Sequence, residues 1–480
     1  MIRATLGIAL ALAIVPAVAT AEGIEFHTDL PGEQSPASFE AKPQPHVLGI
    51  KYLYINRCAG GCVITKGTDD ARTHSTAAPD DPGGTKYNLS EFAHGDESWN
   101  EVMQCLREVY SPYDIIVTDQ PPPAGVPYNE GIAAGTQREL NLSGLLGYAY
   151  NNQDCSPRSY ALSFTFANEF SPQSINGMCR VVAQETAHSF GLTHSFEFTD
   201  GRSACNDPMS YRTDCGGRRF FRNDFARCGE YEAASCGGCG GLQNTHQKLL
   251  NILGPGTPLT AKPDVTLTSP QNGATVVNGS FVGAQAFSER GIFAIELWLN
   301  GYKWNTVKGA SWGSNGQAIA TYQVQLPADV PDGVIDIVVK AKDDIELTTE
   351  TPVITVTKGS PCASADTCAA GQRCEAGKCF WDAPVGEVGD VCTFEQFCKT
   401  GVCTAVDSGE QRCSVGCVQG IADSCPMGFT CLETADVGGG LCWPSDDIDT
   451  GCGCSSGGEL PVTSLFGLGL VALLFRRRRR

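Results

Sequence analysis

Hydrophobic positions along the chain change period twice, and each change marks a different kind of structure. Trp99, Val102, Met103, Leu106, Val109 and Tyr110 recur at three- and four-residue spacing, which predicts an amphipathic helix over Ser98–Tyr110. A second long helix is predicted over Ser174–Phe190, opened by a serine cap and stopped by Gly191. Leu249, Leu250, Ile252 and Leu253 mark a last helix that ends at Gly254. Val47–Ile55, Asp114–Thr118 and Ala161–Ala167 read as strands. From about Thr260 to Gly359 the period shortens to two. Phe293, Ile295, Leu297 and Leu299 alternate with polar or smaller residues and run into Asn300-Gly301, a hairpin signal. After a turn at Pro331-Asp332-Gly333, Val334–Lys342 and Ile345–Thr357 continue the alternation. Beyond Pro361 the apolar pattern fades and cysteines replace it.

The cysteines divide the 480 residues in the same way. Ten lie between Cys58 and Cys239, none between Gly240 and Pro361, twelve between Cys362 and Cys442, and a pair at Cys452 and Cys454. Pro and Gly punctuate the boundaries at Gly254–Pro258 and Lys358–Pro361. Met1-Ile2-Arg3, the apolar run Ala4–Val18 and Ala19-Thr20-Ala21 read as an export signal cleaved before Glu22. An even cysteine count behind such a signal implies disulfides formed outside the cytoplasm. The predicted organisation is multidomain: a signal peptide over 1–21, an α+β domain over 22–259, an all-β sandwich over 260–359, small disulfide-rich modules over 360–445 and a C-terminal segment over 446–480. The net charge of −19 argues against a nucleic-acid partner, which requires a positive footprint.

Chemistry concentrates in the second helix and the turn after it. Gln184 and His188 stand one turn apart and face the same way, Glu185 follows the first of them, and Gly191 can turn the chain so that His194 comes back toward both. A histidine pair at a helix end is ordinarily structural; glutamate and glycine at these intervals shift the reading toward a metal. The stretch Gln184-Glu185-Thr186-Ala187-His188-Ser189-Phe190-Gly191-Leu192-Thr193-His194 is similar to the metzincin zinc-protease signature H-E-x-x-H-x-x-G-x-x-H at every fixed position but the first, where glutamine replaces histidine. Downstream, Asp207-Pro208-Met209-Ser210-Tyr211 resembles the Met-turn of the same clan. The resemblance covers about half of the chain, with its diagnostic residues in 184–211. It implies a metzincin-like catalytic domain that hydrolyses a protein or peptide substrate with Zn2+. His188, His194 and Gln184 would be ligands, Glu185 the general base, Met209 the floor of the site and Tyr211 the group that steadies the oxyanion.

Gln184 leaves three outcomes open. Its neutral amide oxygen is a weaker zinc donor than imidazole, so the site could work with a labile metal. Another residue could supply the third ligand, and His27, His46, His74, His94 and His246 are the remaining histidines. Or the metal is lost and a catalytically silent adhesion or binding protein keeps the scaffold.

Other features carry less. Cys236-Gly-Gly-Cys239 in an exported chain reads as a structural disulfide rather than a redox pair, and Cys58–Cys62 as part of the same scaffold. The acidic loop from Asp69-Asp70 to Asp80-Asp81 could hold Ca2+, although a solvated loop is its ordinary reading. The sandwich resembles the immunoglobulin-like modules of bacterial surface proteins. The spacing C-x5-C-x5-C-x4-C from Cys362, echoed from Cys392, is similar to EGF-like or Dickkopf-like modules in cysteine rhythm and leaves the pairing open. At the C-terminus, Gly451–Ser455, a Gly-rich hinge, the apolar Leu460–Phe475 and Arg476–Arg480 resemble the myxobacterial MYXO-CTERM sorting segment. That resemblance implies transient membrane anchoring, processing near Cys452 or Cys454, and delivery to the cell surface or outer membrane, with or without release.

Overall fold

The computed structural model describes residues 49–445, apart from 80, 82, 151–153, 237–239, 310–318, 406–408, 419–423 and 434–438. The expected export signal and C-terminal sorting segment, including Cys452 and Cys454, lie outside the described residues, as do His27 and His46. The chain forms two compact units, one within Glu33–Pro384 and the other from Val385 onward. It is multidomain and rich in β-structure, with few helices.

In the first unit, β1 (Tyr52–Asn56) is followed by a small sheet of β2 (Cys62–Lys66), β3 (Ser75–Thr76) and β4 (Lys86–Leu89). Then come α1 (Gly95–Tyr110), β5 (Ile116–Thr118), β6 (Tyr128–Ala133), β7 (Gly147–Ala149) and β8 (Leu162–Thr165), and after these α2 (Ile175–His188), β9 (Ser195–Phe198), β10 (Ala226–Cys228) and α3 (Thr245–Leu253). The central sheet has the order β5-β1-β6-β8-β7. Its first four strands are mutually parallel, and β7 closes the edge antiparallel to β8. Every residue of β8 is buried, as befits a strand covered on both faces.

α1 buries the stripe its sequence period defines, from Trp99 to Tyr110, and packs on α2. The Cys105–Cys179 disulfide ties the two helices, and the Tyr110 hydroxyl donates to the Ala183 carbonyl at 3.1 Å. Ser174 occupies the N-cap position of α2, but its hydroxyl pairs with that of Ser171 (2.9 Å) rather than with the helix. The cap is therefore positional only.

The all-β region packs a sheet of Asp264–Ser269, Phe281–Phe287 and Ala320–Gln325 against a second sheet built on Gly333–Lys342. Val282, Ala284, Ile295, Leu297, Ile337 and Val339 meet in the core between them. Asn300-Gly301 makes the tight hairpin, both residues at positive φ (47° and 85°). The strand expected over Ile345–Thr357 is broken into Thr348–Glu350 and Ile354–Lys358. Pro352 has no N–H to give the ladder, and the Thr351 hydroxyl accepts from the Val339 amide (3.1 Å) instead.

This region is joined to the helical one by buried charge. Arg290 makes a two-point ion pair with Asp344 (2.8 and 2.9 Å) and donates to the Phe221 carbonyl (3.1 Å), while Arg222 donates to the Arg290 carbonyl. Arg222 and Arg290 are each 1 % exposed and Asp344 is 2 % exposed.

The cysteine-rich stretch consists of repeated pairs of crossed bridges. Cys362–Cys374 with Cys368–Cys379 belong to the first unit; Cys392–Cys403 with Cys398–Cys413, and Cys417–Cys431 with Cys425–Cys442, belong to the second. Each group joins first to third and second to fourth cysteine, so the echo in spacing is an echo in pairing. Cys58–Cys62 is a bridge as expected, but Cys236 pairs with Cys228 instead of its expected partner Cys239, which lies outside the described residues. Such a density of disulfides belongs to an oxidising environment. Among the described residues no helix is long and apolar enough to cross a membrane.

Candidate metal centre

The site forms where α2 ends. His188 is its last residue, and Gly191 reverses the chain at φ +76°, a conformation that favours glycine. A Cβ there would stand 2.1 Å from the Cys155 carbonyl oxygen, so the turn excludes any side chain on two counts. The returning segment is held by Gln243, whose side-chain amide pairs with both the N–H and the C=O of Thr193 (2.9 and 2.8 Å) as a strand would. His194 is thereby delivered to His188. Their Nε2 atoms lie 3.1 Å apart, with the rings nearly perpendicular at 81°.

The outer nitrogens decide what the inner ones can do. His188 Nδ1 faces the Leu192 carbonyl at 2.7 Å, and a carbonyl only accepts, so Nδ1 carries the proton. His194 Nδ1 faces the Glu230 carboxylate at 3.0 Å and is protonated for the same reason. In the neutral rings both Nε2 atoms then present lone pairs to each other, as two ligands of one ion would. Burial pushes His188 down to about 3, helped by His194, and burial pushes His194 down to about 4. Two nitrogens bound tetrahedrally to zinc at about 2.0–2.1 Å would stand about 3.3 Å apart, close to the separation here.

The third position is the weak one. Gln184 is buried on the same side of α2, and its Nε2 has no hydrogen-bond partner. Among the described residues, the histidines that could have replaced it have partners elsewhere: His74 on Glu130 (3.1 Å), His94 on the Ala167 carbonyl (2.9 Å) and His246 on the Tyr113 hydroxyl (3.0 Å). Among the described residues, sets of three or more histidine, cysteine or carboxylate donors occur only in the cysteine modules. There the sulfurs are committed to disulfides. The structure thus brings together two imidazoles, with the Gln184 amide one helix turn before His188.

Glu185 is enclosed, and burial pushes its carboxyl up to about 8 against the pull of Arg180. Its side chain rests on Gly147 of β7, where a Cβ would meet Glu185 Cγ at 2.5 Å. The Met-turn is rigid. Asp207 accepts from the Met209 amide (2.9 Å), the Arg222 amide (3.0 Å) and the Thr245 hydroxyl (2.6 Å). The carbonyl of Met209, a fully buried residue, accepts from the Ser195 amide (3.0 Å). Tyr211 lays its ring beside His194, centroids 4.4 Å apart. Burial, then Glu185 and Glu230, push its phenol up to about 12, so it is a donor at neutral pH.

The acidic loop has its charges matched. Asp70 is paired by Arg72, Asp69 by Thr76 and Arg158, and Asp81 by Lys66 and Tyr87; Asp80 lies outside the described residues. Glu230, Gln243, Gly147 and Arg180 are the site residues that no motif signalled.

No family model matches the chain, and no curated relative matches it. Among solved structures, the fibronectin(III)-like modules of Clostridium thermocellum CbhA share 20 % identity over 20 % of this chain and 47 % of theirs, with a TM-score of 0.16. The endo-beta-1,4-mannanase from Thermotoga petrophila shares 12 % over 38 % of this chain and 43 % of its own, also at 0.16. The chain spans less than half the length of either, and at that TM-score neither likeness carries an argument.

Proposed function

We propose that the α+β region is a metzincin-like, zinc-dependent endopeptidase acting at or beyond the cell surface, with an immunoglobulin-like sandwich as its partner domain. The observation that carries this reading is the approach of the His188 and His194 Nε2 atoms to 3.1 Å at the end of α2, the helix that also carries Glu185. His188, His194 and the Gln184 amide would hold the ion. Zinc, when bound, would polarise the scissile carbonyl and acidify an attacking water. Glu185 would take the proton of that water and return it to the departing amine; burial favours its neutral form, and a bound cation would favour the ionised form that a base requires. Tyr211 keeps its phenolic proton and donates a hydrogen bond to the developing oxyanion. β7 is a sheet edge, so a peptide laid along it gains backbone hydrogen bonds next to Glu185. Leu145, Leu146 and Tyr150 stand exposed at its two ends and would receive apolar side chains.

One observation favours a second reading, a silent binding protein: the amide at the first ligand position. The two separate in one experiment. The purified protein, dialysed against zinc and then buffer, is assayed for bound metal and for cleavage of denatured casein. The peptidase reading expects about one zinc per chain and cleavage that Glu185→Ala abolishes without loss of metal. Bound zinc with no cleavage leaves the binding protein.

A further inference from the structure

We propose that Arg180 makes this site select a peptide bearing a carboxylate, which in the peptidase reading lies next to the bond to be cut. The inference rests on the peptidase reading for its setting, but its chemistry is that of an arginine without a partner. Arg180 lies in α2 one turn before Gln184 and two before His188, on the same helix face. Its neighbours Met178, Cys179, Val181 and Val182 are buried in the core, so its backbone is fixed. The side chain itself is only partly covered. Its charge is felt by Glu185, Tyr211 and Arg219, which places the guanidinium among the groups of the site.

Every neighbouring arginine is spent. Arg219 donates to the Ser210 and Arg212 carbonyls (2.7 Å each), Arg218 pairs with Glu108, Arg212 with Asp214, and Arg222 with the Arg290 carbonyl. Arg180, among the described residues, makes no hydrogen bond and no ion pair, and even Glu185 does not come within salt-bridge distance. None of its nitrogens is both buried and unpartnered, so the fork stays open to solvent, and a carboxylate fits it at two points. Arg219 stands close enough to be repelled by Arg180, and its own bonds go to neutral carbonyls. The whole chain carries −19, which repels acidic peptides at a distance. Arg180 therefore sets register and selectivity rather than capture rate.

The carboxylate can be an aspartate or glutamate side chain or a free chain end, and the test separates them. Quenched fluorescent peptides of one sequence carry Asp, Asn or Lys at each position flanking the cleaved bond, each as free acid and as C-terminal amide. The zinc-loaded protein is expected to prefer a carboxylate over its neutral counterpart by about 10- to 100-fold in kcat/KM, mostly through KM. Arg180→Gln erases the preference, Arg180→Lys keeps part of it, and Arg180→Glu favours Lys. A preference that survives amidation identifies the side chain; one lost on amidation identifies the chain end. Either supports the proposal. Binding of the same peptides to metal-free protein, read by fluorescence anisotropy, gives the second readout. Carboxylate-dependent binding lost in Arg180→Gln, with no cleavage by any form, would remove the peptidase reading and keep this one. Cleavage without charge preference, or a preference unchanged in folded Arg180→Gln, would overturn it.

Discussion

In the peptidase reading, position 184 would control how tightly the two imidazoles keep a metal. An amide oxygen lacks the basicity of imidazole, and Gln184 is buried with its Nε2 unpartnered. Gln184→His should raise zinc affinity by more than about tenfold, since even outer partners of a zinc ligand change affinity by about 10- to 100-fold. Competition against a chromophoric chelator reads this directly; an unchanged affinity would mean that residue 184 does not face the ion. Gly147 makes a second test. A methyl there would stand 2.5 Å from Glu185 Cγ and must displace the carboxylate. Gly147→Ala should lower kcat about 100-fold while zinc content stays the same, because a misplaced base costs rate and not metal. The motif residues were legible because a single helix turn and a single glycine bring them together. Gly147, Glu230 and Arg180 were not, because their places depend on distant segments folding onto α2.

Elements hold the site in place by two devices, one covalent and one electrostatic. Cys105–Cys179 fixes α1 against the helix that carries the ligands, closing a separation of 74 residues. Replacing both cysteines by alanine should cost about 2–5 kcal/mol, read as a lower denaturant midpoint, with a steeper slope because the freed unfolded chain exposes more surface. The turn after Gly333–Lys342 carries Asp343, whose one oxygen accepts from the Ile345 and Leu347 amides while the other has no partner. Burial, then the Asp344 carboxylate, raise Asp343 above its ordinary 3.8. A raised acid favours folding while protonated, so its contribution is complete below 3.8 and is lost as pH climbs through the raised value. Asp343→Asn should therefore gain stability on the wild type as pH rises from the carboxylate range toward neutrality, measured as the difference in melting temperature. A difference that does not change with pH would contradict this. Periodicity found these elements well, since α1 and Gly333–Lys342 bury the positions their spacing predicts. It missed the break at Pro352, because a proline within a run still alternates; only the ladder reveals the missing donor.

At the scale of the molecule, the α+β and all-β blocks of the first unit share a buried Arg222–Arg290–Asp344 junction that reaches the Met-turn. Arg222 bonds Arg290 from its side chain and Asp207 from its amide. Asp344→Asn would leave two buried guanidiniums short of a counter-charge and should destabilise the first unit by about 3–5 kcal/mol. A chain ending at Leu259 would lose the same partners and should be cleaved faster by trypsin than one ending at Pro384. The cysteine gap and the Gly-Pro boundary made the two blocks legible as separate patterns. The junction was not legible, because Asn223 and Asp344, which meet there, are 121 positions apart and neither stands in a motif. What matters most for function is still the pair of imidazoles. The decisive measurement is elemental analysis of the purified protein after equilibration with zinc and removal of the excess. About one zinc per chain, falling to none in His188→Ala/His194→Ala, is the predicted result. A wild-type chain that emerges free of zinc would contradict the account.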